Sequence, residues 1–163
     1  MRIGIGFDVH RLVTGRRLVL GGVEMASEVG LEGHSDADVI LHAAMDAVLG
    51  ALALGDIGHF FPNTDPLFKD ADSVLLAEEV ARVMSQQGYR IGNMDVMVMA
   101  EKPKLAPYVS AMRARMAGVF NCPVGDVGIK ATTMEGLGFV GREEGIAAQA
   151  VVLLEETGKA GLK

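Results

Sequence analysis

The stretch GFDVHRL at residues 6–12 constrains the fold most, because it places two polar side chains inside an apolar segment. Residues 2–9 are typical of a β-strand. Side chains two positions apart on a strand point to the same face, so Asp8 and His10 lean into one small volume. A carboxylate and an imidazole in apolar surroundings need a compensating partner, which another segment of the chain must bring to this strand.

Length and composition indicate one domain built mainly from small and aliphatic residues. The chain has 163 residues, half of them apolar and only 5% aromatic, with 21 Gly. This mixture favours close packing of helices on a sheet. The apolar excess indicates either surface buried between subunits or an Ala-rich core. We expect a single domain over residues 1–158 and a frayed tail over residues 159–163.

Charge and cysteine content narrow the class of protein. The net charge is −6, and no basic run is present, which argues against nucleic-acid binding. Cys122 is the sole cysteine and favours a reducing compartment. Residues 1–9 do not match a signal peptide. The apolar run 39–54 contains His42 and is shorter than the ~20 residues of a membrane span. We therefore predict a soluble, cytoplasmic, bacterial-type protein that binds no membrane.

The segment that follows residue 34 predicts the longest apolar helix. Ser35 to Asp38 matches a capping box, with Ser35 as the N-cap and Asp38 reaching back. The helix is expected to run to about Leu54, and Gly55 ends it. Residues 18–32 are predicted to form a hairpin or an irregular excursion. The other predicted elements are a stiff loop at 59–66, helices at 72–87 and 107–120, strands at 95–101, 127–132 and 146–154, and a Gly-rich loop between the last two strands.

This element order predicts an α+β fold, a two-layer sandwich. We expect a mixed four-stranded sheet with helices packed on one face. The core order is β-α-β-α-β-β, with an additional N-terminal hairpin.

Three polar residues form one stripe on the predicted apolar helix. Asp38, His42 and Asp46 are spaced four residues apart and so share a face. Together, Asp8, His10 and His42 offer one carboxylate and two imidazoles, a set that suits a zinc ion with an open fourth position. Asp38 and Asp46 would then orient the imidazole N–H groups. The alternative is a buried Asp–His hydrogen bond without metal.

Two further segments carry residues suited to a phosphorylated ligand. His34 and Ser35 precede a helix N-terminus, where an anion such as phosphate is favoured. The alternative, an ordinary capped helix, is favoured where nothing else points to phosphate. Asp56, Asp65 and the sequence Phe60-Phe61-Pro62 are suited to binding hydroxyl groups and closing a pocket, or else form a rigid turn.

The sequence KATTMEGLGFVGREEG forms the third such segment. Thr132 and Thr133 stand at the end of a strand, where hydroxyl and backbone N–H groups can hold phosphate oxygens. Glu135 is suited to a second, hard cation such as Mg²⁺. The alternative, favoured for this segment on its own, is a plain Gly-rich connector. The lysines of AEKPKLAP at 100–107 are typical of solvated surface side chains.

Five blocks of the sequence, in their order along the chain, resemble one family, the 2-C-methyl-D-erythritol 2,4-cyclodiphosphate synthases. The resemblance rests on RIGIGFDVHRL, LEGHSDADVILHAAMDAVLG, ALGDIGHFFPNTDP, KPKLAP and KATTMEGLGFVGREEGIAAQAVVLL. These blocks extend from residue 2 to about residue 154.

The resemblance implies a phosphorus–oxygen lyase of non-mevalonate isoprenoid biosynthesis. The family's substrate is 4-diphosphocytidyl-2-C-methyl-D-erythritol 2-phosphate. Its 2-phosphate attacks the β-phosphorus within the same molecule, CMP leaves and a cyclic diphosphate forms. Family members are homotrimers with active sites between adjacent subunits.

The resemblance also implies roles for individual residues. It assigns the zinc to Asp8, His10 and His42, the Mg²⁺ or Mn²⁺ to Glu135, and stabilisation of the transition state to His34 and Thr133. Other implied contacts to the substrate are Val9, Ser35, Asp56, Ile57, Gly58, Phe61, Pro62, Asn63, Thr64, Asp65, Ala100, Glu101, Lys102, Pro103, Lys104, Leu105, Ala106, Thr132, Met134, Phe139 and Arg142. Of these, residues 100–106 with Thr132 form the cytidine pocket of the neighbouring subunit.

Three residues depart from the family pattern. Asn63 replaces the usual aspartate, Met134 replaces a polar residue, and Val140 replaces threonine near the trimer axis. Two alternative functions remain open. One is a trimer that binds an isoprenoid diphosphate in an axial cavity, indicated by the apolar last strand and Arg142. The other is a zinc phosphohydrolase.

Overall fold

The computed structural model describes residues 1–158, so the predicted frayed tail lies outside the described residues. The strands are β1 (Arg2–Thr14), β2 (Leu18–Leu20), β3 (Val23–Met25), β4 (Val29–Leu31), β5 (Tyr89–Met99), β6 (Val127–Thr132) and β7 (Gly145–Glu156). The helices are α1 (Val39–Ala51), α2 (Ile57–Phe60), α3 (Ser73–Gln86), α4 (Val109–Val119) and α5 (Gly138–Gly141), with 3₁₀ turns at Pro66–Phe68 and Val124–Asp126.

The main sheet is mixed and has helices on one face, as the sequence predicts. Its strand order is β4-β1-β7-β5-β6, and only the β5–β6 pair is parallel. The prediction of four strands is wrong by one, because β4 pairs antiparallel with the end of β1 and extends the edge. The predicted hairpin is confirmed as β2–β3, which turns at Gly21 and Gly22 with positive φ.

Glycines on β1 bring α1 unusually close to the sheet. A Cβ atom built on Gly4 would lie 1.9 Å from the carbonyl oxygen of Ala47, and one on Gly6 would lie 2.0 Å from that of Ala43. No side chain therefore fits between β1 and α1 at these two positions. The even-numbered positions of β1 face the helix, and the odd-numbered apolar positions face outward.

The start of α1 differs from the prediction. Asp38, not Ser35, is the N-cap, and its carboxylate accepts hydrogen bonds from the N–H groups of Ile40 and Leu41. The same carboxylate accepts from Gly21 N at 2.9 Å and Gly22 N at 2.6 Å, which ties the hairpin to the helix. Burial raises the pKa of Asp38 to about 6, while these N–H groups oppose the shift.

Other boundaries shift by a few residues. Helix α3 begins after its N-cap Asp72 and is followed by Gly88 with φ +79°, as predicted. The loop predicted over 59–66 overlaps the short helix α2, and β5 begins at Tyr89 rather than residue 95. Within residues 1–158, no helix combines the length and apolar character needed to cross a bilayer.

Candidate active site

Asp8, His10 and His42 converge at the contact between β1 and α1. The Oδ2 atom of Asp8 lies 2.9 Å from His10 Nε2 and 3.0 Å from His42 Nδ1. The two ring nitrogens are 3.0 Å apart. The close approach of α1 to β1 produces this cluster, because His42 precedes Ala43, whose carbonyl lies over Gly6. The predicted convergence of the three residues is confirmed.

The chemistry of these three atoms fits a metal ion. Zinc bonds of 2.0–2.2 Å in a tetrahedron separate the ligand atoms by about 3.3 Å. The observed separations of 2.9–3.0 Å fall short of that value by only a few tenths of an ångström. Small rotations of the side chains therefore suffice to hold an ion, and three protein ligands leave a fourth position for a substrate oxygen.

The far nitrogen of each imidazole is also engaged. His10 Nδ1 lies 2.8 Å from the carbonyl oxygen of Glu32, which can only accept, so Nδ1 carries a proton and the neutral ring has its lone pair on Nε2. His42 Nε2 lies 3.0 Å from Ser73 Oγ. The prediction that Asp38 and Asp46 orient the imidazoles is wrong: Asp38 caps α1, and Asp46 accepts from Ile57 N at 2.8 Å.

Charge pairing dominates the electrostatics of the cluster. Burial alone would raise the pKa of Asp8, but hydrogen bonds and attraction from His10 and His42 outweigh it and hold that pKa well below its usual range. Burial likewise opposes protonation of His10, yet the Asp8 carboxylate leaves the pKa of His10 raised. Asp8 is therefore ionised, which is the form that a metal ligand requires.

A cavity of about 460 Å³ opens beside the three residues. Ten residues named by the sequence line it: Asp8, His10, His34, Ser35, His42, Ile57, Gly58, Phe61, Pro62 and Asn63. Four residues that sequence reasoning did not name also line it: Gly33, Met45, Phe68 and Leu76. The aliphatic and aromatic residues among them carry no signal distinguishing a pocket wall from a core position.

The loop carrying His34 is fixed from several sides. Arg16 donates to the carbonyl oxygens of Gly33 and Ser35 at 3.2 and 2.6 Å, so its guanidinium spans the residues on both sides of His34. The carbonyl oxygen of His34 accepts from Asp70 N at 2.7 Å. Its ring Nε2 lies 3.4 Å from the carbonyl oxygen of Asp65. The backbone of this loop is therefore held rigidly at the cavity edge.

The segment at 56–58 is held by two carboxylates. Asp46 on α1 accepts from Ile57 N, and burial raises the pKa of Asp46. Asp56 is the N-cap of α2, and its Oδ1 accepts from His59 N at 2.9 Å. Asp56 and the exposed Thr64 do not line the cavity, whereas Ile57 and Gly58 do.

A second cluster forms around Glu135. Thr133 Oγ1 donates to Glu135 Oε1 at 2.9 Å, and Thr132 Oγ1 donates to the Thr133 carbonyl oxygen at 3.1 Å. Glu101 accepts from Met134 N at 2.7 Å, which joins the 100–106 segment to this loop. Glu135 itself has φ +52°, a left-handed conformation that is uncommon for a residue with a side chain.

The two clusters are separated within one chain. Asp8 pairs with Ala148 on β7, Ala148 with Val98 on β5, and Val98 with Ala131 on β6. Three strand spacings therefore separate Asp8 from the end of β6, a distance of about 14 Å. Accordingly, the cavity beside Asp8 includes none of residues 100–106 or 132–142.

The remaining predicted contacts fall into three kinds. Val9 points to the outer face of the sheet, and Ala100 and Leu105 are buried. Lys102 pairs with Glu143 at 2.8 Å, and Arg142 pairs with Glu144 at 2.9 Å. Lys104, Ala106 and Phe139 are exposed, and Pro103 is half-buried.

A family model described as the YgbB family matches residues 1–155, and the chain belongs to this family. A relative from Moorella thermoacetica, named 2-C-methyl-D-erythritol 2,4-cyclodiphosphate synthase, is 60% identical over 154 residues, which cover 94% of each chain. The same name is carried by a relative from Chlorobium phaeobacteroides, 55% identical over 96% of this chain and 98% of its own.

Solved structures that carry these enzyme names are also similar to this chain. A CDP-bound 2C-methyl-D-erythritol-2,4-cyclodiphosphate synthase is 37% identical, with a TM-score of 0.87 over 94% of this chain and all of its own. The bifunctional IspDF from Campylobacter jejuni gives a TM-score of 0.92 at 41% identity over 95% of this chain. The chain spans 42% of that bifunctional protein.

Proposed function

We propose that this enzyme converts 4-diphosphocytidyl-2-C-methyl-D-erythritol 2-phosphate into 2-C-methyl-D-erythritol 2,4-cyclodiphosphate and CMP. The observation that carries the proposal is the Asp8–His10–His42 triad beside a cavity, in a chain whose full-length relatives bear the synthase name. An oxygen of the 2-phosphate forms a bond to the β-phosphorus. The bond from the β-phosphorus to the α-phosphate oxygen breaks, and CMP departs.

The nucleophile lies within the substrate, so the protein's task is positioning and charge stabilisation. The triad would hold Zn²⁺, which supplies Lewis-acid polarisation of a phosphoryl oxygen when bound. His34, on its fixed loop, and Thr133 would donate hydrogen bonds where negative charge develops. Glu135 would hold Mg²⁺ or Mn²⁺ against the diphosphate, which its carboxylate suits. The walls at 57–63 would orient the methylerythritol end.

The test is incubation of the purified protein with this substrate, Zn²⁺ and Mg²⁺. Phosphorus NMR should show the cyclic diphosphate, and chromatography should show an equal amount of CMP. Formation of a linear diphosphate alone would refute the cyclase assignment. Turnover of simple phosphate monoesters in the same preparation would favour the zinc phosphohydrolase alternative instead.

We infer that the working enzyme is a homotrimer with each active site completed by a neighbouring subunit. The separation of about 14 Å between the triad and β6 supports this, since one chain does not bring both clusters to the same cavity. The outer face of β1 also supports it. Ile3, Ile5 and Phe7 are 72%, 61% and 54% exposed, an apolar row typical of a subunit interface. Residues 100–106 with Thr132 would bind the cytidine of the neighbour's substrate.

Replacing Ile5 by Glu tests this assembly. A charge in a buried apolar interface is costly, so sedimentation should show a smaller particle than for the wild-type protein. The synthase activity should fall to background, while zinc affinity at the triad persists because all three ligands are in one chain. Leu75→Glu is the matched control, since Leu75 is 62% exposed on α3. A monomeric Ile5→Glu variant with full activity would refute the shared site.

An isoprenoid diphosphate bound between subunits remains a second candidate role. The apolar outer face of β1 favours it, although Arg142 already pairs with Glu144. Calorimetry with geranyl diphosphate should give measurable heat if the role exists, and no heat at high ligand concentration would remove it.

Membership of a family with bacterial relatives supports a cytoplasmic location.

A further inference from the structure

A chain of hydrogen bonds leads from His42 away from the cavity to a carboxylate. His42 Nε2 lies 3.0 Å from Ser73 Oγ, and Ser73 Oγ donates in turn to Asp36 Oδ1. Asp36 also accepts from Ser73 N at 3.2 Å and from Asp38 N at 3.3 Å. Ser73 is completely buried at the start of α3, and His42 is 7% exposed.

The direction of these hydrogen bonds fixes the proton on His42. The Asp36 carboxylate has no hydrogen to donate, so the single hydroxyl hydrogen of Ser73 points to Asp36. The Ser73 oxygen can then only accept from His42, which requires the ring proton to be on Nε2. In the neutral ring, the form that binds a metal, the lone pair is thereby placed on Nδ1, the atom that lies 3.0 Å from Asp8 Oδ2 and from His10 Nε2.

A second hydroxyl lies near His42 but is less well placed. Ser35 Oγ is 3.3 Å from His42 Nε2 and already accepts from Ala37 N at 3.1 Å. Ser73 is closer, fully buried and directed by a carboxylate, so it is the stronger acceptor. The two imidazoles of the triad are therefore oriented by different means, His10 by a backbone carbonyl and His42 by a side-chain relay.

We propose that Ser73, held by Asp36, is a positioning residue that sets the tautomer and ring orientation of His42 for metal binding. This rests on the metal site of the proposed function. Loss of an outer hydrogen-bond partner of a metal-bound histidine weakens metal affinity about 10- to 100-fold in other proteins. Asp36 acts through Ser73 and additionally joins the loop before α1 to the start of α3.

The experiment measures Zn²⁺ affinity by competition with a chromophoric chelator, and the absorption spectrum of the Co²⁺-loaded protein. Ser73→Ala should bind Zn²⁺ about 10- to 100-fold more weakly and shift the Co²⁺ bands. Ser73→Thr keeps the hydroxyl and should restore most of the affinity. Asp36→Asn should lie between, because its single carbonyl oxygen can keep at most two of the three hydrogen bonds. Ser85→Ala, exposed at the other end of α3, should match the wild-type protein.

Thermal unfolding of each metal-free variant separates a ligand-orienting role from a loss of folding. If Ser73→Ala folds normally and binds Zn²⁺ as tightly as the wild-type protein, the positioning role is overturned while the metal site stands. If the wild-type protein itself binds neither Zn²⁺ nor Co²⁺, the metal site of the proposed function fails and the positioning role falls with it.

Discussion

Replacing Gly6 by Ala should break the candidate site without touching any of its side chains. Gly6 lies on the face of β1 that α1 covers, and an added Cβ would meet the Ala43 carbonyl oxygen at 2.0 Å and Ala47 N at 2.7 Å. Both are backbone atoms of α1, so no rotamer change relieves the contact. Either the helix or the strand must move.

The size of the effect follows from these distances. An ordinary contact begins near 3.4 Å, so the helix must retreat by about 1.4 Å from the 2.0 Å position. Overpacking of this kind costs about 1–3 kcal/mol, and a backbone clash belongs at the upper end. His42 moves with α1 away from Asp8 and His10, which opens separations that are now 3.0 Å. Metal affinity should therefore fall together with stability.

Urea unfolding of the metal-free protein, at one fixed protein concentration, measures the loss of stability. Competition with a chelator measures the loss of Zn²⁺ affinity. Gly118→Ala is the matched control, since Gly118 is on the exposed face of α4 with open space around it. That change should stabilise the helix by about 0.5–1 kcal/mol and leave Zn²⁺ affinity unchanged. A Gly6→Ala protein as stable as the wild type, with the same Zn²⁺ affinity, would refute the role of the glycine face.

Three further predictions concern the site itself. His42→Ala should lose Zn²⁺ and activity while circular dichroism shows the fold retained; turnover at the wild-type rate would contradict the ligand assignment. The metal-free protein should lose stability as pH rises above about 6.5, because the His10 pKa is raised in the fold and its ion pair with Asp8 disappears on deprotonation. Urea unfolding at several pH values should show this slope, and His10→Asn should flatten it. Arg16→Met should slow turnover several-fold with Zn²⁺ affinity unchanged, because the loop carrying His34 loses its clamp; unchanged kinetics would show that the clamp is dispensable.

Local signals sufficed for most of the fold. Helix α3 begins after Asp72, whose carboxylate accepts from Val74 N, and is followed by Gly88, which takes a positive φ, so both signals act within a few residues of the chain. The start of α1 could not be assigned this way, because Ser35 and Asp38 both have the side chain of an N-cap. Asp38 takes the role since it also receives the N–H groups of Gly21 and Gly22, a contact that depends on the tertiary position of the hairpin.

The candidate site likewise has residues that local sequence patterns predict and residues that they do not. Asp8, His10 and His42 were predictable because each is a polar residue in an apolar segment, a pattern that needs an explanation. Ser73 was not predictable as their support, since a serine at a helix start is common and its partner lies 31 positions away. The outer-sphere partners depend on how α3 docks, which no local pattern in the sequence encodes.

The alternation of side chains along β1 accounts for both the metal site and the proposed subunit interface. Small or polar residues at even positions admit the backbone of α1, which brings His42 to the strand. The same alternation turns Ile3, Ile5 and Phe7 outward, where one chain leaves them exposed. The usual rule that apolar side chains point to the helix layer is thus reversed on this strand. The exposed row favours association of subunits, and the cluster around Glu135 lies about 14 Å from Asp8 in the same chain. The packing that builds the metal site therefore also creates the surface through which a neighbouring subunit would complete the active site.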